Sequence, residues 1–318
     1  MVKSKKSFVF IELLLAGLLL LLVSFMLREK NGKNRERVSV IVEDSEGGQW
    51  AAFRYGLRMA AEDQGIEVYV VSTPEVLSPE DEEKLMEREL ENGADALLVQ
   101  PVPGMEAESF WKKTRAPVML IGYALSAEET GEKLPVTQPD HDAMGRDLAE
   151  ALLEDYGEDL TGKTLGIVWQ QEESGAAAIR RRGFEERLEG SGIEVIWAVS
   201  CQEESLLEQQ PRASVVVALD DGSFIMAGVC AAENDLHGAV VYGIGNSARA
   251  VYYLDTGAAK CLVVPDDFMM GYQSLTEVAG KLEGSSGQME SSVVRHSVMR
   301  RDNLFTKENQ ELLYTMSQ

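Results

Sequence analysis

RVSVIVED (37–44), IEVYVVS (66–72), ADALLVQP (94–101) and APVMLIGY (116–123) are four short apolar runs rich in β-branched residues. A strand with one wet face alternates apolar and polar residues, whereas a strand covered on both faces can be apolar throughout. Between these runs, 49–64 and 79–92 place apolar groups at helical spacing. The first stretch stops at Gly65, and the second starts from Ser78-Pro79-Glu80, both ordinary helix signals. Residues 105–114 read as a further helix. Strands alternating with helices in this way predict a parallel sheet with helices on both faces.

After a loop at 124–139 the rhythm restarts. KTLGIVWQ (163–170), IEVIWAVS (193–200), ASVVVALD (213–220), AVVYGIG (239–245) and AKCLVV (259–264) read as strands. Helices are expected at 141–155, 175–190, 203–209, 223–234, 247–256 and 268–283. A Gly/Ser hinge (284–287) leads to a last strand near 292–299, and the tail 300–318 has a helical pattern. Two successive doubly wound units follow from this. In such sheets ligands sit beyond the carboxyl ends of the strands, so the natural site is the cleft between the units.

Ahead of this rhythm lies FVFIELLLAGLLLLLVSFML (8–27), apolar but for Glu12 and a few small residues. Its length suits a membrane helix, and no convincing cleavage site or lipid-accepting cysteine follows it. The expectation is an uncleaved signal anchor, with 28–37 as a polar linker. Lysines and arginines flank it on both sides, so charge alone does not orient it.

The chain has 318 residues and a net charge of −23. Residues 1–37 sum to +5, which leaves −28 for the rest. Such a surface repels nucleic acid, whose binding depends on cations meeting phosphates. Cys201, Cys230 and Cys261 are far apart, with no CxxC pair, so neither a zinc site nor a disulfide scaffold is expected.

No catalytic constellation emerges. GIGNSA (243–248) lacks the third glycine of a dinucleotide fingerprint. Asp140-His141-Asp142 could ligate a metal, but adjacent residues seldom face one ion, and a helix N-cap suits them better. Asp220-Asp221 sits at a strand's carboxyl end. There it could serve a hydrolase, or more simply bond a ligand hydroxyl. No catalytic residue, metal or cofactor is expected.

The order and spacing of several motifs resemble the type I periplasmic binding proteins of the ribose- and galactose-binding group, related to the effector domains of the lactose-repressor family. The resemblance covers about residues 37–300. It rests on GADALLVQP (93–101) with APVMLIG (116–122), Asp140 to Gly145, Ala178-Ile179-Arg180 with Gly183-Phe184, Ala218-Leu219-Asp220-Asp221, and Phe268 to Tyr272. Together with the anchor read from 8–27, it implies an α/β fold of two doubly wound parallel-sheet lobes behind one N-terminal transmembrane helix. Residues 1–37 would be tail, anchor and linker. The first lobe would hold 38–139 with about 264–285, and the second 140–263 with about 286–318.

The resemblance also implies a cleft lined by Gln49, Trp50, Gln100, Tyr123, Asp140, Arg180, Asp220, Asn246 and Asp266. Trp50 would stack on a sugar face or pack in the core, and Arg180 could bridge ring oxygens. About half of the family's sugar-clamping groups are changed here, so ribose-like specificity does not carry over. The function implied is a membrane-anchored extracytoplasmic solute-binding protein for a small, polar, sugar-like ligand. Its partner would be an ABC transporter permease or a membrane histidine kinase. The alternatives are a cytoplasmic-side ligand-sensing regulatory module, or a ligand-free protein-interaction module of the same fold.

Overall fold

The computed structural model describes residues 35–74, 77–102, 114–122, 134–170, 175–285 and 287–318. The first lobe is built from β1 (Arg37–Glu43), α1 (Ala51–Gln64), β2 (Glu67–Thr73), α2 (Pro79–Glu91), β3 (Ala96–Val99), β4 (Val118–Ile121) and β5 (Val136–Pro139). The second holds α3 (His141–Tyr156), β6 (Thr164–Trp169), α4 (Gly175–Arg187), β7 (Glu194–Ser200), α5 (Glu204–Glu208) and β8 (Val215–Ala218). It continues through α6 (Asp221–Glu233), β9 (Val240–Ile244), α7 (Ala248–Thr256) and β10 (Cys261–Pro265). The chain then returns to the first lobe with α8 (Asp267–Leu282) and β11 (Ser292–Val294), and ends in the second with β12 (His296–Met299) and α9 (Lys307–Met316).

The two six-stranded sheets run β11-β5-β4-β3-β1-β2 and β12-β10-β9-β8-β6-β7. Every pair is parallel except β10 with β12. The central strands β3, β4 and β8 are buried along their whole length, as their unbroken apolar sequence requires. The last strand, expected as one piece, is two. Val294 pairs with Pro139 in the first sheet and His296 with Pro265 in the second, with Arg295 between.

Each lobe packs one helix pair through glycines. A Cβ on Gly145 of α3 would stand 2.0 Å from the Arg180 carbonyl oxygen of α4, and one on Gly183 would stand 2.4 Å from that of Asp142. In the first lobe, Gly56 of α1 and Gly271 of α8 meet Phe268 and Phe53 in the same manner, at 2.1 and 2.3 Å. Only the missing side chains let these backbones approach so closely.

The membrane anchor expected at the N-terminus is corrected. Among the described residues no helix is long and apolar enough to cross a membrane. The longest, α3 and α8, have 16 residues, or about 24 Å at 1.5 Å per residue, against a hydrocarbon core of about 30 Å. Both are also amphipathic and cover sheets. The stretch 8–27 lies outside the described residues. A transmembrane helix in the fold, a membrane partner through it and a single-pass location with an extracytoplasmic domain are therefore not carried forward. The helix expected at 105–114 falls, but for its last residue, outside the described residues too.

Candidate functional site

The chain crosses between the lobes three times, at Pro139-Asp140, at Pro265-Asp266 and at Arg295. The first two crossings are built alike. Asp140 and Asp266 cap α3 and α8, each accepting from the backbone N–H three residues on, Ala143 at 3.0 Å and Met269 at 3.1 Å. Such a cap satisfies one of the orphan donors at a helix start. It also fixes where the next residue stands. In both cases that residue, His141 or Asp267, lines the cleft.

The cleft holds a cavity of about 140 Å³ with walls from both lobes. The first lobe contributes Gln49, Trp50, Gln100, Gly122, Pro139, Asp267 and Met270. The second contributes His141, Ala176, Ala177, Arg180, Asp220 and Asn246, with Pro265 at the crossing. The volume is small beside the roughly 300–1,000 Å³ of pockets for drug-sized ligands. Two wider hollows, of about 410 and 690 Å³, lie on the second lobe alone, near Arg181 and near Arg300. Neither reaches the carboxyl ends of both sheets, where doubly wound folds place their ligands.

Six expected site residues therefore meet at one cavity: Gln49, Trp50, Gln100, Arg180, Asp220 and Asn246. Asp140 and Asp266 do not line it. Asp140 is exposed at the α3 cap, and Asp266 is buried, bonded at 3.0 Å by Arg295. Tyr123 lies outside the described residues. His141, Asp267 and Met270 line the cavity without having been singled out for it.

Polar groups in the cleft are tied to one another. Arg180 donates from Nε to His141 Nδ1 at 3.1 Å and from Nη1 to the Leu219 carbonyl at 2.8 Å. Because Nδ1 accepts, the imidazole proton sits on Nε2, which donates to the Gly122 carbonyl at 2.6 Å. Burial, then the Arg180 charge, pull the His141 pKa down to about 3, so the ring is neutral at ordinary pH. Arg180 itself is pulled down by burial and drawn back up by Asp220 and Asp267.

Asn246 spans the lobes, with Nδ2 donating to the Gln49 carbonyl at 3.1 Å and to Asp267 Oδ2. Burial raises the Asp267 pKa to about 7, against the opposing pull of Asn246 and Arg180. Asp221 is also raised by burial. It accepts from the backbone N–H groups of Asn246 at 2.8 Å and Ser247 at 2.9 Å, which holds the loop carrying Asn246 in place.

The two carboxylates considered for hydrolysis serve backbone geometry. Asp220 accepts from Gln170 N at 2.7 Å and from Ser223 N at 2.8 Å, bracing two strands and capping α6. Trp50 donates its indole N–H to the Glu43 carbonyl at 2.8 Å and meets Phe53 edge-on, so its ring is both core and cavity wall. The Asp140-His141-Asp142 triplet diverges. Asp140 caps, His141 turns into the cleft, and Asp142 pairs with Arg146 and Arg182. Among the described residues no three His, Cys, Asp or Glu side chains gather as a metal site.

Several solved structures share this architecture. A carbohydrate transporter solute binding protein from Agrobacterium radiobacter, in complex with D-arabinose, aligns with TM-score 0.76 at 19% identity, covering 89% of this chain and all of its own. GanP, a glucose-galactose binding protein from Geobacillus stearothermophilus, gives 0.73 at 17%, over 86% and 100%. A solute binding protein from Agrobacterium vitis with bound α-D-tagatopyranose gives 0.75 at 14%, over 87% and 99%. At such identities the likeness speaks for the fold. No curated protein matches the sequence. The sequence itself fits the profile of the periplasmic binding protein domain over residues 38–286. That match covers most of both lobes and the cleft between them, in a family that binds rather than catalyses: the chain belongs to the periplasmic binding protein domain family.

Proposed function

We propose that the cleft binds a small polar ligand, a sugar or sugar derivative, and that the lobes close on it for ABC-type uptake or for sensing. The observation carrying this is the 140 Å³ cavity at the carboxyl ends of both sheets, where Arg180, Asp220, Asp267, Asn246, Gln49 and Gln100 converge. Its charged groups are mixed in sign, and its amides both donate and accept. A polyhydroxylated ring can use all of these, because each hydroxyl donates and accepts. Gln100 accepts from Glu43 N through Oε1, which turns its Nε2 into a donor for the ligand. Structural relatives in complex with D-arabinose or α-D-tagatopyranose support the same class.

A thermal-shift panel on the full-length protein tests this, with D-arabinose, D-tagatose, D-galactose and D-glucose as probes. A ligand at 100 times its Kd should add about 2.7 kcal/mol of stability. A flat response to all four sugars would sink the sugar reading.

A second reading keeps one observation of its own. Asn246 and Arg180 already spend donors on Gln49, Asp267, His141 and Leu219. A ligand-free interaction module, or a sensing module with a weak ligand, would have its cleft satisfied in this way. A flat panel together with a tight protein partner would favour that reading.

A further inference from the structure

The C-terminal helix α9 touches both lobes, at a place away from the cavity. Its base is fixed to the second lobe. Asn303 accepts from Arg300 N at 2.7 Å and donates to the Val298 carbonyl at 3.2 Å, while buried Asn309 donates to the Asn303 carbonyl at 2.9 Å. Leu312 and Met316 sink into the second lobe's core with Leu304 and Met299. These bonds and contacts make α9 a rigid extension of β12.

Its other side meets the first lobe. The Tyr314 ring stands edge-on to Tyr55 of α1 with centroids 6.2 Å apart. Tyr55 in turn lies 5.3 Å from Phe268 of α8, which stacks on Tyr272 at 6.0 Å. Four rings thus run from the second lobe's tail across α1 to α8. Ala52 of α1 and Phe268 join the same apolar cluster as Leu312 and Met316, so the second lobe's core continues into the first lobe here.

We propose that α9 is a clasp that biases the two lobes toward closure. Tyr314, whose ring meets Tyr55, is the outermost ring of this contact and opens with it when the lobes part. A swing about the crossings that carries α9 away from α1 separates Tyr314 from Tyr55, because α9 moves with the second lobe and α1 with the first. The clasp lowers the cost of closing before any ligand arrives, and so raises the apparent affinity of the cleft by raising the fraction of competent protein. It rests on the two-lobed binding reading for its purpose, but not for its test.

The test measures lobe separation directly. Spin labels at exposed Glu87 of α2 and Glu189 after α4, in the full-length protein without added sugar, report the distance distribution. Tyr314→Ala should move population to longer distances, by about two- to tenfold in the open-to-closed ratio, the range expected from an aromatic pair. Tyr55→Ala should do the same, and Tyr314→Phe should keep the wild-type distribution. Unchanged distributions in both alanine variants, with helix content intact by circular dichroism, would overturn the clasp even if a sugar binds. A shifted distribution in a protein whose sugar panel stays flat would leave the clasp standing while the sugar reading falls.

Discussion

Arg180 donates to His141 across 3.1 Å and thereby decides which imidazole nitrogen carries the proton. That single bond joins α4 to the start of α3, and through Nε2 it reaches the Gly122 carbonyl of the first lobe. A lysine cannot make this arrangement together with the Leu219 bond, because its ammonium is a point charge rather than a planar fork. Arg180→Lys should therefore weaken whichever sugar stabilises the protein. Loss of a charged hydrogen bond, about 1.5–3 kcal/mol, means about 10- to 100-fold in Kd by calorimetry. Equal affinity in the variant would place Arg180 outside the ligand's contacts.

His141 and Asp267 should give opposing pH signatures. The folded imidazole, with pKa about 3, refuses a proton that the unfolded one accepts near 6.5, so its contribution is whole above pH 6.5 and is lost as pH falls toward 3. Asp267 runs the other way. Its folded pKa of about 7 exceeds the unfolded 3.8, so its contribution is whole below about pH 4 and is lost as pH rises to 7. Asp267→Asn should thus gain on the wild type as pH rises from 4 to 7, by up to about 1.4 kcal/mol per unit. Urea titrations at three pH values read this directly, and a pH-independent difference would mean that the carboxyl titrates normally.

Asn246→Asp should show the pairing across the lobes. The new carboxylate faces Asp267 without a proton between them at pH 8, which should cost about 1–3 kcal/mol. At pH 5 a protonated Asp267 can donate to it, and the loss should shrink. Equal losses at both pH values in chemical denaturation would argue that Asp267 is not the partner that matters.

Gly145→Ala tests how the scaffold holds the guanidinium. The added methyl would meet the Arg180 carbonyl oxygen far inside van der Waals distance, so α3 and α4 must move apart. Overpacking of this kind costs about 1–3 kcal/mol. It should also weaken ligand binding beyond its effect on stability, since Arg180 rides on the displaced backbone. A stability loss with unchanged affinity would separate the helix contact from the site.

Much of this was legible in the chain. Apolar runs such as ALLV (96–99) and VVVA (215–218) are central strands because nothing else buries them on both faces. Asp220 could be found from its strand end, and Arg180 from the resemblance carried by Ala178-Ile179-Arg180 with Gly183-Phe184. His141 and Asp267 were harder, since a polar residue beside a capping aspartate reads as part of the cap. Yet the sequence carries the signal twice. Pro139-Asp140-His141-Asp142-Ala143-Met144-Gly145 and Pro265-Asp266-Asp267-Phe268-Met269-Met270-Gly271 share proline, aspartate, methionine and glycine at the same spacing. In both, proline ends the strand, aspartate caps the helix, the next residue lines the cleft, and glycine admits the partner helix. Asp140 and Asp266 stand one residue away from the side chains that line the cavity. The role of α9 was not legible, because Leu312 and Tyr314 reveal their two different neighbours only after the chain has closed on itself.

The three crossings lie side by side. Pro139 neighbours Val294, His296 neighbours Pro265, and the Asp266 N–H bonds the Arg295 carbonyl at 2.9 Å. Laced together, they form a narrow ribbon rather than three loose threads. Such a ribbon bends easily across its flat face and resists twisting or sliding edgewise, because those motions would shear the bonds between its strands. For the lobe closure proposed above, this leaves one soft direction, a bend across the face of the ribbon, along which a molecule held by both lobes would act.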